Sequence, residues 1–60
     1  MKLNTEDLEF AHDIIWSAMN YAEAEGFDPD YATDEAEATL REAGLSEEEI
    51  RYAFDTYEHC

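Results

Sequence analysis

Apolar residues recur at three- and four-residue steps along most of the chain, which is the periodicity of amphipathic helices. Asn4 or Thr5 can cap the start of a first helix, and Gly26 is a natural left-handed stop. The periodic positions between them are Leu8, Ala11, Ile15, Ala18, Met19 and Ala22. The pattern therefore predicts a first helix over residues 5–25.

The apolar arc of this first helix is unusually wide. Phe10, Ile14 and Tyr21 extend it to about half the helix circumference on a 3.6-residue wheel. Such a width is typical of a helix packed by two neighbours within one bundle, or of one that also meets a second subunit. Phe27 follows Gly26 at the position where a Schellman motif often makes a hydrophobic contact.

A second helix is predicted over residues 29–43. Asp28 as the cap and Pro29 at the first helical position make a favourable start, although Thr33 could cap a later one. Its apolar face is narrow and consists mostly of small side chains, which permits close helix approach, and Gly44 ends it. The face comprises Ala32, Ala36, Leu40 and Ala43.

A third helix is predicted over residues 46–58. Ser46 and Glu49 form a capping box, and Leu45 and Ile50 occupy the positions of a hydrophobic staple. Its apolar face comprises Ile50, Ala53, Phe54 and Tyr57. With no β pattern, repeat or long linker, residues 1–60 are predicted to form one all-α domain, a compact three-helix bundle with a helix-turn-helix-like corner between helices 2 and 3.

Composition favours a folded domain over an acidic tail. Residues are 45% hydrophobic and 13% aromatic, whereas charged disordered segments are poor in both. A chain of 60 residues buries only about 60% of its unfolded surface, so we expect marginal stability. Candidate core residues are Leu8, Phe10, Ile14, Ile15, Trp16, Met19, Phe27, Leu40, Leu45, Ile50, Phe54 and Tyr57.

Charge restricts the partners. There are 17 Asp and Glu residues against 3 Lys and Arg residues, a formal net charge of −14, and Lys2 is the only lysine. This charge repels nucleic acid and anionic membranes and attracts basic protein surfaces. No apolar run matches a signal peptide or a membrane span, so we expect a cytoplasmic protein. Cys60 is the only cysteine, which excludes an intramolecular disulfide and argues against a thiol-ligated zinc site.

Residues 40–50 resemble the helix-turn-helix of repressor DNA-binding domains, through a Gly-Leu-Ser turn with Ile50 six residues after the glycine. Leu40 stands where that family prefers alanine. The element in the place of the recognition helix opens with Glu47, Glu48 and Glu49, which would face phosphates with like charge. We therefore interpret this unit as a structural corner and expect no direct nucleic-acid binding.

Metal sites are not favoured by the sequence. A calcium loop of the EF-hand type starting at Asp28 would require different residues at Ala32, Thr33 and Thr39. Surface acidity and helix capping account for this segment better.

Glu9 and His12 form a Glu-x-x-His unit, but di-iron bundles use two such units, and Thr56 precedes His59 by three residues in place of a glutamate. We interpret His12 as a surface histidine beside acids. No nucleophile and base are suitably spaced. We expect no catalytic residues, no metal and no cofactor.

Carboxylates are the candidate binding groups. On the first helix they gather opposite the apolar arc, on the side toward which Trp16 projects, and on the second they form a ladder that Arg41 interrupts. Trp16, Tyr31 and Tyr52 lie beside acids and are natural anchors, and Trp16 is either such an anchor or packed in the core. The predicted partner-binding residues are Glu6, Glu9, Asp13, Trp16, Glu23, Asp30, Asp34, Glu37, Glu47 and Glu48.

In size, charge and helical make-up the chain resembles the DNA-mimic inhibitors of phages and mobile elements, including anti-CRISPR and anti-restriction proteins. The resemblance implies a non-catalytic protein in the host cytoplasm that blocks the nucleic-acid site of a defence complex, such as a CRISPR-Cas effector. The alternative is a small helical adaptor whose acidity serves solubility in a high-salt cytoplasm. Either a monomer or a homodimer is compatible with the sequence.

Overall fold

Three α-helices make up the fold in the computed structural model, which describes residues 3–58. They are α1 (Thr5–Glu25), α2 (Pro29–Glu42) and α3 (Glu47–Glu58), and each contacts the other two. No strand occurs among these residues, so the predicted all-α three-helix bundle is confirmed. Lys2, His59 and Cys60, on which parts of the sequence interpretation rest, lie outside the described residues.

The helices begin at the predicted caps. The Asn4 side chain accepts a hydrogen bond from the Asp7 amide at 2.8 Å, before α1. Asp28 occupies the cap of α2 without a side-chain hydrogen bond, and Pro29 follows it. The capping box of α3 is formed in both directions, with Glu49 N donating to Ser46 Oγ at 3.2 Å and Ser46 N donating to Glu49 Oε1 at 2.8 Å.

Both chain reversals are glycine-based Schellman turns. Gly26 has φ 80° and Gly44 has φ 103°, in the region that other residues rarely adopt. After α1, the Phe27 amide donates to the Ala22 carbonyl at 2.7 Å, and after α2 the Leu45 amide donates to the Leu40 carbonyl at 3.2 Å. These bonds satisfy carbonyls that the helix ends would leave unpaired.

The core is narrow and rich in alanine. Ile15 and Leu40 are the largest fully buried side chains, and Ile50 is 3% exposed. The other buried hydrophobic residues are Ala11, Ala22, Ala32, Ala36 and Ala53. Ala32, Ala36 and Leu40 are buried, so the small-residue face predicted for α2 is confirmed except at Ala43, which is exposed. Small side chains on this face let the helix backbones approach closely.

Three of the core candidates are wrong. Phe10 is 52% exposed, Trp16 57% and Phe27 44%, while Tyr21 on the wide arc of α1 is 56% exposed. For Phe10 and Tyr21 the physical reason is the narrow α2 face, which covers only the central stripe of α1 and leaves one edge of its arc open. Trp16 instead projects from the acidic side of α1, and Phe27 lies in the turn that follows this helix. No helix of residues 3–58 is both long enough and apolar enough to cross a membrane.

Candidate partner-binding surfaces

The acidic side of α1 is exposed to solvent as predicted. Trp16 stands on this side, and its carbonyl accepts a hydrogen bond from the Asn20 side chain at 2.9 Å. Because the helix buries the opposite stripe around Ile15, its carboxylates project outward together with the indole. The exposed acids of this surface are Glu6, Glu9, Asp13 and Glu23.

The acidic ladder of α2 is only partly available. Asp30 and Asp34 are exposed, whereas Glu37 is half-buried. Arg41 Nη2 lies 3.2 Å from Glu37 Oε1 and 3.1 Å from Glu47 Oε1. Arg41 therefore does more than interrupt the ladder, because it links α2 to the first turn of α3. Exposed pairs of this kind contribute roughly 0.2–1 kcal/mol each.

A groove of about 620 Å³ runs between α2 and α3. It contains Arg41 and Arg51, the two basic side chains of residues 3–58, together with Glu37 and Glu47. Glu48, which follows Glu47 in the first turn of α3, is exposed. Arg41 thus compensates the charges of Glu37 and Glu47 in this groove. The other residues lining it are Met19, Thr33, Ile50, Phe54, Tyr57 and Glu58.

A second groove of about 300 Å³ lies between α1 and α2. Asp13 and Glu35 supply its charge, and no basic side chain of the described residues lines it. Ile14 and Ala18 provide an aliphatic part, and Tyr21 is also part of the lining. Its remaining lining residues are Ser17 and Thr39. Two carboxylates beside an apolar surface give this groove the chemistry to receive a cation with an apolar stem.

An aromatic corner adjoins this groove at the turn from α1 to α2. The ring centroids of Tyr21 and Phe27 are 6.0 Å apart, and those of Phe27 and Tyr31 are 4.6 Å apart. Tyr31 is 40% exposed. The negative charge of Glu35 is the main cause that raises the pKa of the Tyr31 phenol, with partial burial, Tyr21 and a hydrogen bond to Glu35 adding to it.

Sequence reasoning missed Tyr21, Phe27 and Glu35 as binding residues. The helical and turn patterns of apolar residues place Phe27 in the core and Tyr21 on the apolar arc of α1. The four-residue step between Tyr31 and Glu35 was the one signal that could have joined an aromatic ring to an acid.

His12 is not a surface histidine, which corrects the sequence interpretation. It is half-buried, its Nε2 lies 2.8 Å from Thr56 Oγ1, and its ring contacts Tyr57 edge-on with centroids 5.7 Å apart. The Thr56 hydroxyl also lies 3.0 and 3.1 Å from the backbone carbonyls of Tyr52 and Ala53, so this contact joins His12 to the backbone of α3. His12 therefore ties α1 to α3. No three His, Cys, Asp or Glu side chains of residues 3–58 assemble into a possible metal site.

Three of the predicted site residues line one of these two grooves, and the others lie on exposed surfaces outside them. Asp13 lines the groove toward α1, while Glu37 and Glu47 line the groove toward α3. No family model, no curated protein and no solved structure matches this chain. The function must therefore be argued from the surfaces themselves.

Proposed function

We propose that this chain is a non-catalytic acidic protein that binds the basic, nucleic-acid-binding surface of a partner protein and blocks it. A phage-encoded inhibitor of a host defence complex, such as a CRISPR-Cas effector, would act in this way. The bound acidic protein excludes the nucleic acid, because both would occupy the same basic site of the partner.

The exposure of carboxylates on all three helices is the observation that carries the proposal. Acids three or four residues apart on a helix are about 5–6 Å apart at Cβ. DNA carries one phosphate per about 3.4 Å of axial rise on each strand, so the charge densities of the two surfaces are of the same order. Like charges at this spacing destabilise a helix by a few tenths of a kcal/mol per pair. A net charge of −14 on 60 residues far exceeds what solubility needs. Selection for acidity itself explains this cost.

Competition with nucleic acid tests the proposal. The protein is first immobilised and used to retain basic proteins from a bacterial lysate at low and at high salt. The retained partner is then titrated with the protein in the presence and absence of its DNA or RNA. We expect binding that weakens with salt and is displaced by nucleic acid. Binding that persists unchanged while the nucleic-acid site is fully occupied would contradict the blocking mechanism.

Charge-reversal variants locate the surface. Asp30→Lys with Asp34→Lys tests α2, and Glu6→Lys with Glu9→Lys tests α1. The matched control, Asp30→Glu with Asp34→Glu, keeps the charge. We expect the charge reversal on α2 to weaken association while the bundle stays folded. An unchanged affinity would indicate that the interface lies on α1 instead.

Adaptation to high salt is the competing explanation of the acidity. It predicts a chain that is largely unfolded in dilute buffer, because self-repulsion is then unscreened. Circular dichroism during heating distinguishes the two. Cooperative melting of the helices in dilute buffer would count against adaptation to salt.

A further inference from the structure

We propose that the groove between α1 and α2, together with the aromatic corner of Tyr21, Phe27 and Tyr31, captures an arginine side chain of a basic protein partner. The inference deepens the proposed function, on which it rests for the basic character of the partner. It assigns the anchoring contact to a surface of which the sequence analysis selected only Asp13 and Tyr31.

The charge distribution between the two grooves favours this one. The α2–α3 groove contains Arg41 and Arg51, and Arg41 already holds Glu37 and Glu47. In the α1–α2 groove, by contrast, Asp13 and Glu35 have no ion pair with a basic side chain among residues 3–58. A cation from a partner would therefore meet no basic side chain of residues 3–58 in the second of these grooves, whereas two arginines line the first.

The chemistry of the surface matches an arginine. A guanidinium is planar, stacks on aromatic faces and pairs with a carboxylate through two parallel hydrogen bonds. Tyr21 and Tyr31 are 56% and 40% exposed, so their rings are accessible for stacking. Glu35 lies close enough to Tyr31 for its charge to raise the pKa of the phenol. Ile14 and Ala18 can cover the aliphatic stem of the arginine.

Lysine fits this surface less well. Its ammonium is compact and strongly hydrated, and it cannot make the bidentate, stacked contact of a guanidinium. The same reasoning disfavours a second copy of the chain, because two molecules of net charge −14 would bring Asp13 and Glu35 against like charges. The preferred occupant is an arginine.

Binding of nona-arginine and nona-lysine, two peptides of equal charge, provides the test. Affinities are measured by isothermal titration calorimetry at moderate salt for the wild type, for the variant Tyr21→Ala with Tyr31→Ala, and for Phe10→Ala. Phe10 is the matched control because it is an aromatic residue of α1 that is 52% exposed and lines neither groove. We expect the wild type to prefer nona-arginine by about fivefold. The double variant should lose this preference and Phe10→Ala should keep it.

Three results would overturn the proposal. They are an unchanged arginine preference in the double variant, an equal loss in Phe10→Ala, and a wild-type dimer in sedimentation that the double variant converts to a monomer. If the double variant fails to fold, NMR of the wild type decides. The ring protons of Tyr21 and Tyr31 must then shift more than those of Phe10 when nona-arginine is added, and the reverse refutes the assignment.

The two proposals fail in different ways. If the ring variants abolish arginine preference but no partner is displaced by nucleic acid, the arginine site stands and the blocking function falls. If displacement occurs and the ring variants change nothing, the function stands and the anchor lies elsewhere.

Discussion

Leu40→Ala should remove a large part of the stability of this protein. Leu40 is fully buried, and beside it only Ile15 and Ile50 are large side chains among the buried residues, because the others are alanines. Truncating a buried leucine to alanine costs about 2–5 kcal/mol, since the transfer free energy and the cavity both count. Most other buried side chains of this core are alanines, which cannot extend into the space, and the larger side chains packed against it are only partly buried.

The loss is large compared with the whole stability. Folded domains are stable by about 0.05–0.15 kcal/mol per residue, which gives roughly 3–9 kcal/mol for a chain of this length. A loss of about 3 kcal/mol therefore removes between a third and all of it. With a urea m-value of about 1 kcal/mol/M, the unfolding midpoint should fall by about 3 M, or the variant should be unfolded without urea.

Circular dichroism at the helix band is the suitable assay, because Trp16 is 57% exposed and reports poorly on core packing. Leu45→Ala serves as the control, since Leu45 is only half-buried at the edge of the core and should cost less. A midpoint shift below about 1 M for Leu40→Ala, with an unchanged m-value, would refute the assignment of the core to this stripe.

Three further predictions concern caps and charge. Ser46→Ala removes the acceptor of the Glu49 amide and should cost about 1 kcal/mol in urea unfolding; an unchanged midpoint would mean that the capping box contributes nothing. Glu35→Gln should lower the pKa of Tyr31 in an NMR titration. Because the pKa of Tyr31 is raised in the folded state, the phenol contributes to stability below pH 10, and this contribution is lost as the pH rises through the raised pKa. An unchanged Tyr31 titration would contradict the proximity of the two groups. The ratio of iodide quenching to caesium quenching should be lower for Trp16 fluorescence than for a free tryptophan amide, because the surrounding carboxylates repel anions. Equal ratios for the two would contradict an acidic environment around Trp16.

The fold was predictable because the local signals agree with one another. Ser46 and Glu49 form the capping box that their spacing predicts, and Gly26 and Gly44 both adopt the positive φ of a helix stop. Such features depend on residues within one turn of each other. Helix bounds therefore needed no knowledge of tertiary packing.

The candidate site was less predictable, because it depends on which faces meet. Periodicity places Phe10 and Tyr21 on the apolar arc of α1, but it does not say how much of that arc the narrow face of α2 covers. The four-residue step from Glu37 to Arg41 was readable, whereas the contact of Arg41 with Glu47 requires α3 to fold back on α2. For the same reason, the presence of Asp13 and Glu35 in one groove depends on how α1 packs against α2 and could not be predicted from the sequence.

The shortness of the two chain reversals has a consequence for the speed of folding. Residues 26–28 are all that separate α1 from α2, and residues 43–46 are all that separate α2 from α3. Helical bundles with such local connections have low contact order and fold in about microseconds to milliseconds. Ribosomes add about 5–20 residues per second, so synthesis of this chain takes seconds. The acidic surface should therefore be fully assembled almost as soon as α3 has emerged.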